Sequence, residues 1–190
     1  ESARVDLADF GTSQVFEAPD NRVARRIELA RAVADADVII SLPKLKTHVQ
    51  MMHTGALKNQ FGLVVGSAKA KYHFRFQDRE WLADLMIDIN RIAKPSLAIL
   101  DAVVAMEGDG PSGGTPRQLG LVAASPDLAS LDAVSCEIIG LKPAEMPLLR
   151  AAARVGDGGS IVPAEIEVVG EPLERFKVSD FRHVRQGRNV

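Results

Sequence analysis

Between positions 78 and 95 the apolar residues fall three and four apart. Trp81, Leu82, Leu85, Met86, Ile89 and Ile92 make one stripe, with Asp78 as its N-cap and Pro95 as its stop, which predicts an amphipathic helix through Lys94. A weaker stripe of Val23, Ile27, Ala30 and Val33, with four arginines off it, predicts another helix over 22–36. It feeds the β-branched run Val38-Ile39-Ile40, which reads as a buried strand over 37–42. Positions 96–106 and 118–125 read as two strands around a glycine-rich loop. Pro126-Asp127 then opens a helix with Leu128, Leu131, Val134, Ile138 and Ile139 on one face and Gly140 as its cap. A further helix is expected over 143–155, a late strand over 165–169, and strand character already at Val5-Asp6-Leu7. Helix and strand alternate, so the fold class is α/β: a mostly parallel sheet with flanking helices, one domain over 1–190. No initiator methionine precedes the first strand-like residues, and the chain reads as a fragment of something longer.

Composition narrows the function classes. The 190 residues are 46% hydrophobic and 25% charged, values of an ordinary globular protein with room for one substantial core. A net charge of -2 gives no global case for nucleic-acid binding. No apolar run is long enough for a membrane span and no signal peptide is visible. The single cysteine, Cys136, excludes an internal disulfide and a four-cysteine iron–sulfur cluster within this chain, and fits a reducing, cytoplasmic setting. On its helix it reads as core.

Charge is distributed unevenly. Positions 43–73 hold three of the four histidines and five lysines, and no carboxylate falls between Asp37 and Asp78. A solvated helix face mixes its signs, so a one-sided segment just beyond a strand end points to an anionic ligand, a metal, or both. Lys44, Lys46, His48, His53, Lys58 and His73 supply the cations and imidazoles, with Asn59 as an amide. Lys58 lies among Gly55, Ala56, Leu57 and Phe61; buried there, its amine would lose proton affinity and serve as a base, a Schiff-base amine or a cofactor attachment point. The plainer alternative is a solvated loop in which Lys44, Lys46, Lys69 and Lys71 face water.

A second candidate is the loop from Glu107 to Gly114. Gly108, Gly110, Gly113 and Gly114 would let backbone N–H groups converge on an anion, while Asp101, Glu107 and Asp109 offer hard-cation ligands or acid–base groups. It lacks the lysine and spacing of a P-loop. A plain hairpin connection accounts equally for its turn residues. Asp132, early in a helix, suits the helix dipole; the cluster Gly156-Asp157-Gly158-Gly159 reads as a turn; His183 carries no argument.

The string LPKLKTH, then TGALKNQFG, a later histidine, and DAVVAMEGDGPSGGTPRQLGLVAASPDLASLDAVS resembles the prokaryotic domain of unknown function family 362, over about 35–141. Members of that family are often joined to four-iron–four-sulfur ferredoxin modules and usually begin with a further strand-rich segment. A fainter likeness is to the nickel-pincer lactate racemase family. There a lysine in a TG-x-x-K setting carries a pyridinium-derived cofactor, a later histidine binds nickel and another histidine shuttles the proton. His48, Lys58 and His73 fall in those places, so the resemblance implies catalysis by His48 and Lys58 and a metal, nickel, at His73. Ala56-Leu57 replaces that family's glycine pair, and the segment around Val65-Gly66 lacks its proline–glycine.

The expectation is therefore a domain that binds a small anion or cofactor, with His48, Lys58 and His73 as floor and the 107–114 loop as one wall. Lys44, Lys46, Asn59, Glu107, Gly108, Gly110, Gly113 and Gly114 would contact the ligand. As an enzyme it would run acid–base or redox chemistry on a small carboxylate, with metal assistance left open. The competing class is a non-catalytic module that docks a ferredoxin-type iron–sulfur partner through its lysines.

Overall fold

In the computed structural model of the chain, residues 5–156 and 158–184 are described. Strands β1 (Ser13–Glu17) and β2 (Arg26–Ala30) form a separate antiparallel hairpin, followed by a one-turn helix α1 (Ala32–Asp35). The main sheet has five strands: β3 (Ile40–Ser41), β4 (Lys44–His48), β5 (Met52–Thr54), β6 (Leu97–Glu107) and β7 (Thr115–Ser125). Pro43 separates β3 from β4, and both run parallel to β6 along one of its edges. Strand β5 returns antiparallel beside β4, and β7 pairs antiparallel along the other edge of β6. Three of the five strands thus share a direction. Helices α2 (Ala56–Asn59), α3 (Ala68–Arg75), α4 (Arg79–Ala93), α5 (Leu128–Ile138) and α6 (Pro147–Val155) complete the α/β fold.

The helix over 79–93 forms as its stripe and cap require. The Asp78 carboxylate accepts from the Glu80 and Trp81 N–H groups, and Lys94 closes the helix in left-handed conformation. Leu82, Leu85, Met86 and Ile89 are fully buried, whereas Trp81, expected on the same stripe, is 62% exposed. It stands one position off the buried arc. Asp127 caps α5 by accepting from Ser130 N–H. Cys136 lies in the core.

Several expectations are corrected. The helix over 22–36 is instead β2 and one helical turn, because the buried Asp88 of α4 takes the N–H groups of Arg22, Val23 and Ala24 at 2.8–2.9 Å. A carboxylate from 65 residues away outcompetes the helical ladder, and β1 claims the rest. Alternation was present: Ile27 and Leu29 are buried, while Arg26 and Glu28 are exposed. The strand over 37–42 shrinks to Ile40–Ser41. Residues 143–155 split into a 3-10 turn (Pro143–Glu145) and α6. The late strand over 165–169 is absent, its place taken by a 3-10 turn (Pro163–Glu165) and irregular chain. Val5 and Leu7 are exposed and outside any strand. Asp157 of the glycine cluster lies outside the described residues.

Candidate functional site

The segment over 43–73 is organised around the end of β4. Leu45 and Thr47 are fully buried, while Lys46 is half-buried and His48 closes the strand. The chain turns back through β5 and enters α2, whose third residue is Lys58. Side-chain hydrogen bonds to α5, α4 and β3 fix that short helix. Asp132 of α5 accepts from the N–H groups of Ala56 at 2.6 Å and Leu57 at 3.0 Å. Asn90 of α4 donates to the Leu57 carbonyl at 2.9 Å. Asn59 and Gln60 both donate to the Ser41 hydroxyl of β3, at 3.0 and 2.7 Å. Gly55 is required where Asp132 meets α2, because a Cβ there would overlap Asp132 Oδ1 and His53 Cε1.

Lys58, held in this way, is half-buried and lies within the field of other cations. Burial, then the charges of Lys69 and Lys46, lower its pKa to about 8. His73 of α3 senses the same group: burial, Lys58 and Lys69 all push its imidazole toward the neutral form. The Phe61 ring underlies the cluster, with the His73 ring edge-on at 5.3 Å and Lys69 Nζ 5.6 Å from its centre. Among the described residues Lys46, Lys58 and Lys69 have no carboxylate partner. Lys44 differs, being exposed and paired with Asp101 at 2.6 Å.

The tautomer of His48 follows from its neighbours. Its Nδ1 accepts from the Gln50 and Met51 N–H groups at 3.1 and 3.2 Å, so the proton of the neutral ring sits on Nε2. Burial, with help from Lys58 and His73, lowers its pKa to about 3. His48 is thus a neutral hydrogen-bond donor near pH 7. As a base it would need an Nδ1 lone pair that two backbone N–H groups already occupy. His53 has a structural place: fully buried, its Nε2 is 2.9 Å from Ser135 Oγ, which donates to the Asp132 carbonyl. Burial lowers its pKa to about 4.

The 107–114 loop sits at the same end of the sheet. The Thr47 hydroxyl, one residue before His48, donates to the Gly108 carbonyl at 2.8 Å and accepts from Gly110 N–H at 3.2 Å. Gly110 approaches so closely that a Cβ would overlap the Thr47 carbonyl. The N–H groups of Gly108, Gly110 and Gly113 are all bonded within the protein, to Arg182, Gly108 and Asp109 carbonyls. Gly114 lies against Glu107 and Met106. The loop is a hairpin connection stapled to β4 rather than an open nest of donors. Glu107 is buried and turned toward Arg182, whose Nε and N–H donate at 2.7 and 3.1 Å. Burial would raise its pKa, but the Arg182 contacts outweigh that and hold it below the usual carboxylate range.

His48, Lys58, His73 and Lys46, grouped in the sequence reading, lie within one another's electrostatic field in the fold. Sequence reasoning named no role for Lys69 beyond the solvated-loop alternative, although Lys69 and His73 are one helical turn apart and so share a face of α3. It gave Asp132 no such role as anchor, and Arg182 none at all; no local signal marks contacts that span 75 residues. A cavity of about 720 Å³ lies elsewhere, lined by Phe16, Asn21, Leu57, Asn90 and Leu128 but not by Lys58. A bare divalent cation does not fit the cluster. Three ammoniums repel it, His48 Nδ1 is taken, and no group of three metal-ligating residues occurs among the described residues.

Among the described residues no helix is long and apolar enough to cross a membrane. A thylakoid-associated protein of Synechocystis sp. is 41% identical over 140 residues, which is 73% of this chain and 44% of that relative; the chain spans less than half of its length. No solved structure matches significantly. The sequence profile of one family, described as a domain of unknown function (DUF362), matches residues 1–137, beginning well before the motifs at 35–141 that carry the resemblance. The cation cluster at the end of β4 is therefore set in a chain that belongs to the DUF362 family.

Proposed function

We propose that the chain binds a small anionic ligand at the cation cluster of Lys46, His48, Lys58, Lys69 and His73, and performs acid–base chemistry on a small carboxylate there. The observation that carries this reading is the gathering of three ammoniums and two imidazoles with no carboxylate partner for the lysines among the described residues. Half-buried like charges cost folding energy, and an anion removes that cost. Lys58, with a pKa near 8, is suited to exchange a proton near neutral pH. His48 would donate Nε2–H to a carboxylate or carbonyl oxygen. The test is a titration with lactate, phosphate and sulfate at low ionic strength, read as thermal stabilisation. A rise in melting temperature that is lost in Lys58→Met is expected; no shift with any anion would refute the reading.

A second reading draws on α3. It carries Lys69, Lys71, His73 and Arg75 with no acidic residue, and Phe74 is 79% exposed beside them. The exposed face of Lys71, Phe74 and Arg75, turned away from that of Lys69 and His73, suits an acidic ferredoxin-type partner, and reversing Lys71 and Arg75 to glutamate would abolish such docking while sparing small-anion binding.

A further inference from the structure

We propose that Lys58 acts as a covalent amine, condensing with the carbonyl carbon of a small 2-oxo acid whose carboxylate is held by Lys46 and Lys69. This rests on the anion-binding reading above and names its substrate class.

Electrostatic capture alone does not account for the arrangement. A site that needs only positive charge keeps its ammoniums apart and solvated, where each stays fully protonated. Here the central amine is half-buried on a short helix and lies within the field of Lys69 and Lys46, which favours its neutral, nucleophilic form. No carboxylate among the described residues holds it as an ion pair. Its stem is also immobilised: Asp132 fixes the first turn of α2 through two N–H groups, Asn90 holds the Leu57 carbonyl, and Asn59 and Gln60 tie the helix to Ser41. A nucleophile on a rigid stem keeps its attack geometry. The Lys69 and Lys46 ammoniums are left to bind a carboxylate. His48 offers one neutral N–H, suited to a carbonyl oxygen rather than to a second charge. A carboxylate with an adjacent ketone is the smallest molecule that uses all of these groups.

The step balances without an oxidant or reductant. The Lys58 nitrogen lone pair forms the C–N bond while the carbonyl π pair moves to oxygen. Two protons pass from nitrogen to that oxygen, the C–O bond breaks, and water leaves as the C=N bond forms. In total one neutral lysine amine and one ketone give one imine and one water, and the imine then takes up the proton that the lysine ammonium had released to become the iminium that hydride reduces.

The 190-residue chain is incubated with pyruvate and cyanoborohydride, whose hydride reduces the C=N bond to a stable secondary amine. Peptide mapping then locates the adduct, and exposed Lys71 serves as the internal reference. Lys58 should be modified at least about tenfold faster than Lys71, as expected for a desolvated amine beside other cations. Lys58→Met should lose the fast adduct, and Lys69→Met should slow it while the fold is retained. Equal labelling of Lys58 and Lys71 would overturn the proposal. Stabilisation by both lactate and pyruvate without an adduct would overturn it and leave anion binding standing. Neither stabilisation nor adduct would overturn both.

Discussion

Lys58 and His53 both hold less proton than they would in water, and their pH dependence follows from that. For Lys58 the ammonium is charged in folded and unfolded chains below about pH 8, so its burial cost is fully present there. Between about 8 and 10.5 the folded chain sheds the proton first and the cost fades; above 10.5 both states are neutral. Lys58→Met keeps the apolar stem and should therefore stabilise the fold at pH 7 by roughly 1–2 kcal/mol, allowing for solvent screening of a half-buried group. That gain should vanish above about pH 10.5, as read by denaturant unfolding of both proteins. For His53, both states are neutral above 6.5; as pH falls toward about 4 only the unfolded chain takes the proton. The wild type should lose roughly 1.4 kcal/mol per pH unit in that window relative to His53→Gln, which lacks the titration. A constant difference between the two across the window would mean that His53 is charged in the folded protein.

At the scale of elements, α2 is too short to be stable alone and exists because α5, α4 and β3 hold it. Burial pushes Asp132 up to about 7, against the two N–H groups that favour its charged form. Removing the side chain leaves those donors unpaired, so Asp132→Ala should cost roughly 2–4 kcal/mol and weaken anion binding through the displaced Lys58. Asp132→Asn retains one acceptor and should recover part of both, in urea unfolding and in ligand titration alike. The cap of α4 is a more ordinary case: Asp78→Ala should cost about 1 kcal/mol and leave ligand binding unchanged.

Across the whole molecule, two charge systems are kept apart. Arg22, Arg150 and Arg154 meet Glu80 and Asp84 of α4 in a paired network, and Arg154 reaches Asp84 at 2.6 Å. The lysines at the β4 end have no such partners among the described residues. Anion binding should accordingly weaken several-fold between about 0.05 and 0.5 M salt, because the Debye length shrinks below the spacing of a partly solvated cluster. Salt-independent binding would point to uptake driven by apolar contact instead.

The sequence by itself determined the elements whose signals are local. The helix over 79–93 carries its own stripe, cap and stop. The helix over 128–138 carries its cap at Asp127, and the two long strands bracket a glycine-laden turn. It also determined the cation-rich stretch, since charge sign and spacing need no fold to be seen. Tertiary structure alone decided the rest. Asp88 turned an expected helix into loop and strand by taking three N–H groups from across the chain. Arg182 turned Glu107 from a candidate ligand contact into the buried half of an ion pair. Two backbone N–H groups set the tautomer of His48, and Lys69 joined the site because α3 folds over Phe61. Each of these outcomes depends on a hydrogen bond or a field between residues brought together by packing, and a periodicity along the chain carries no record of such a pairing.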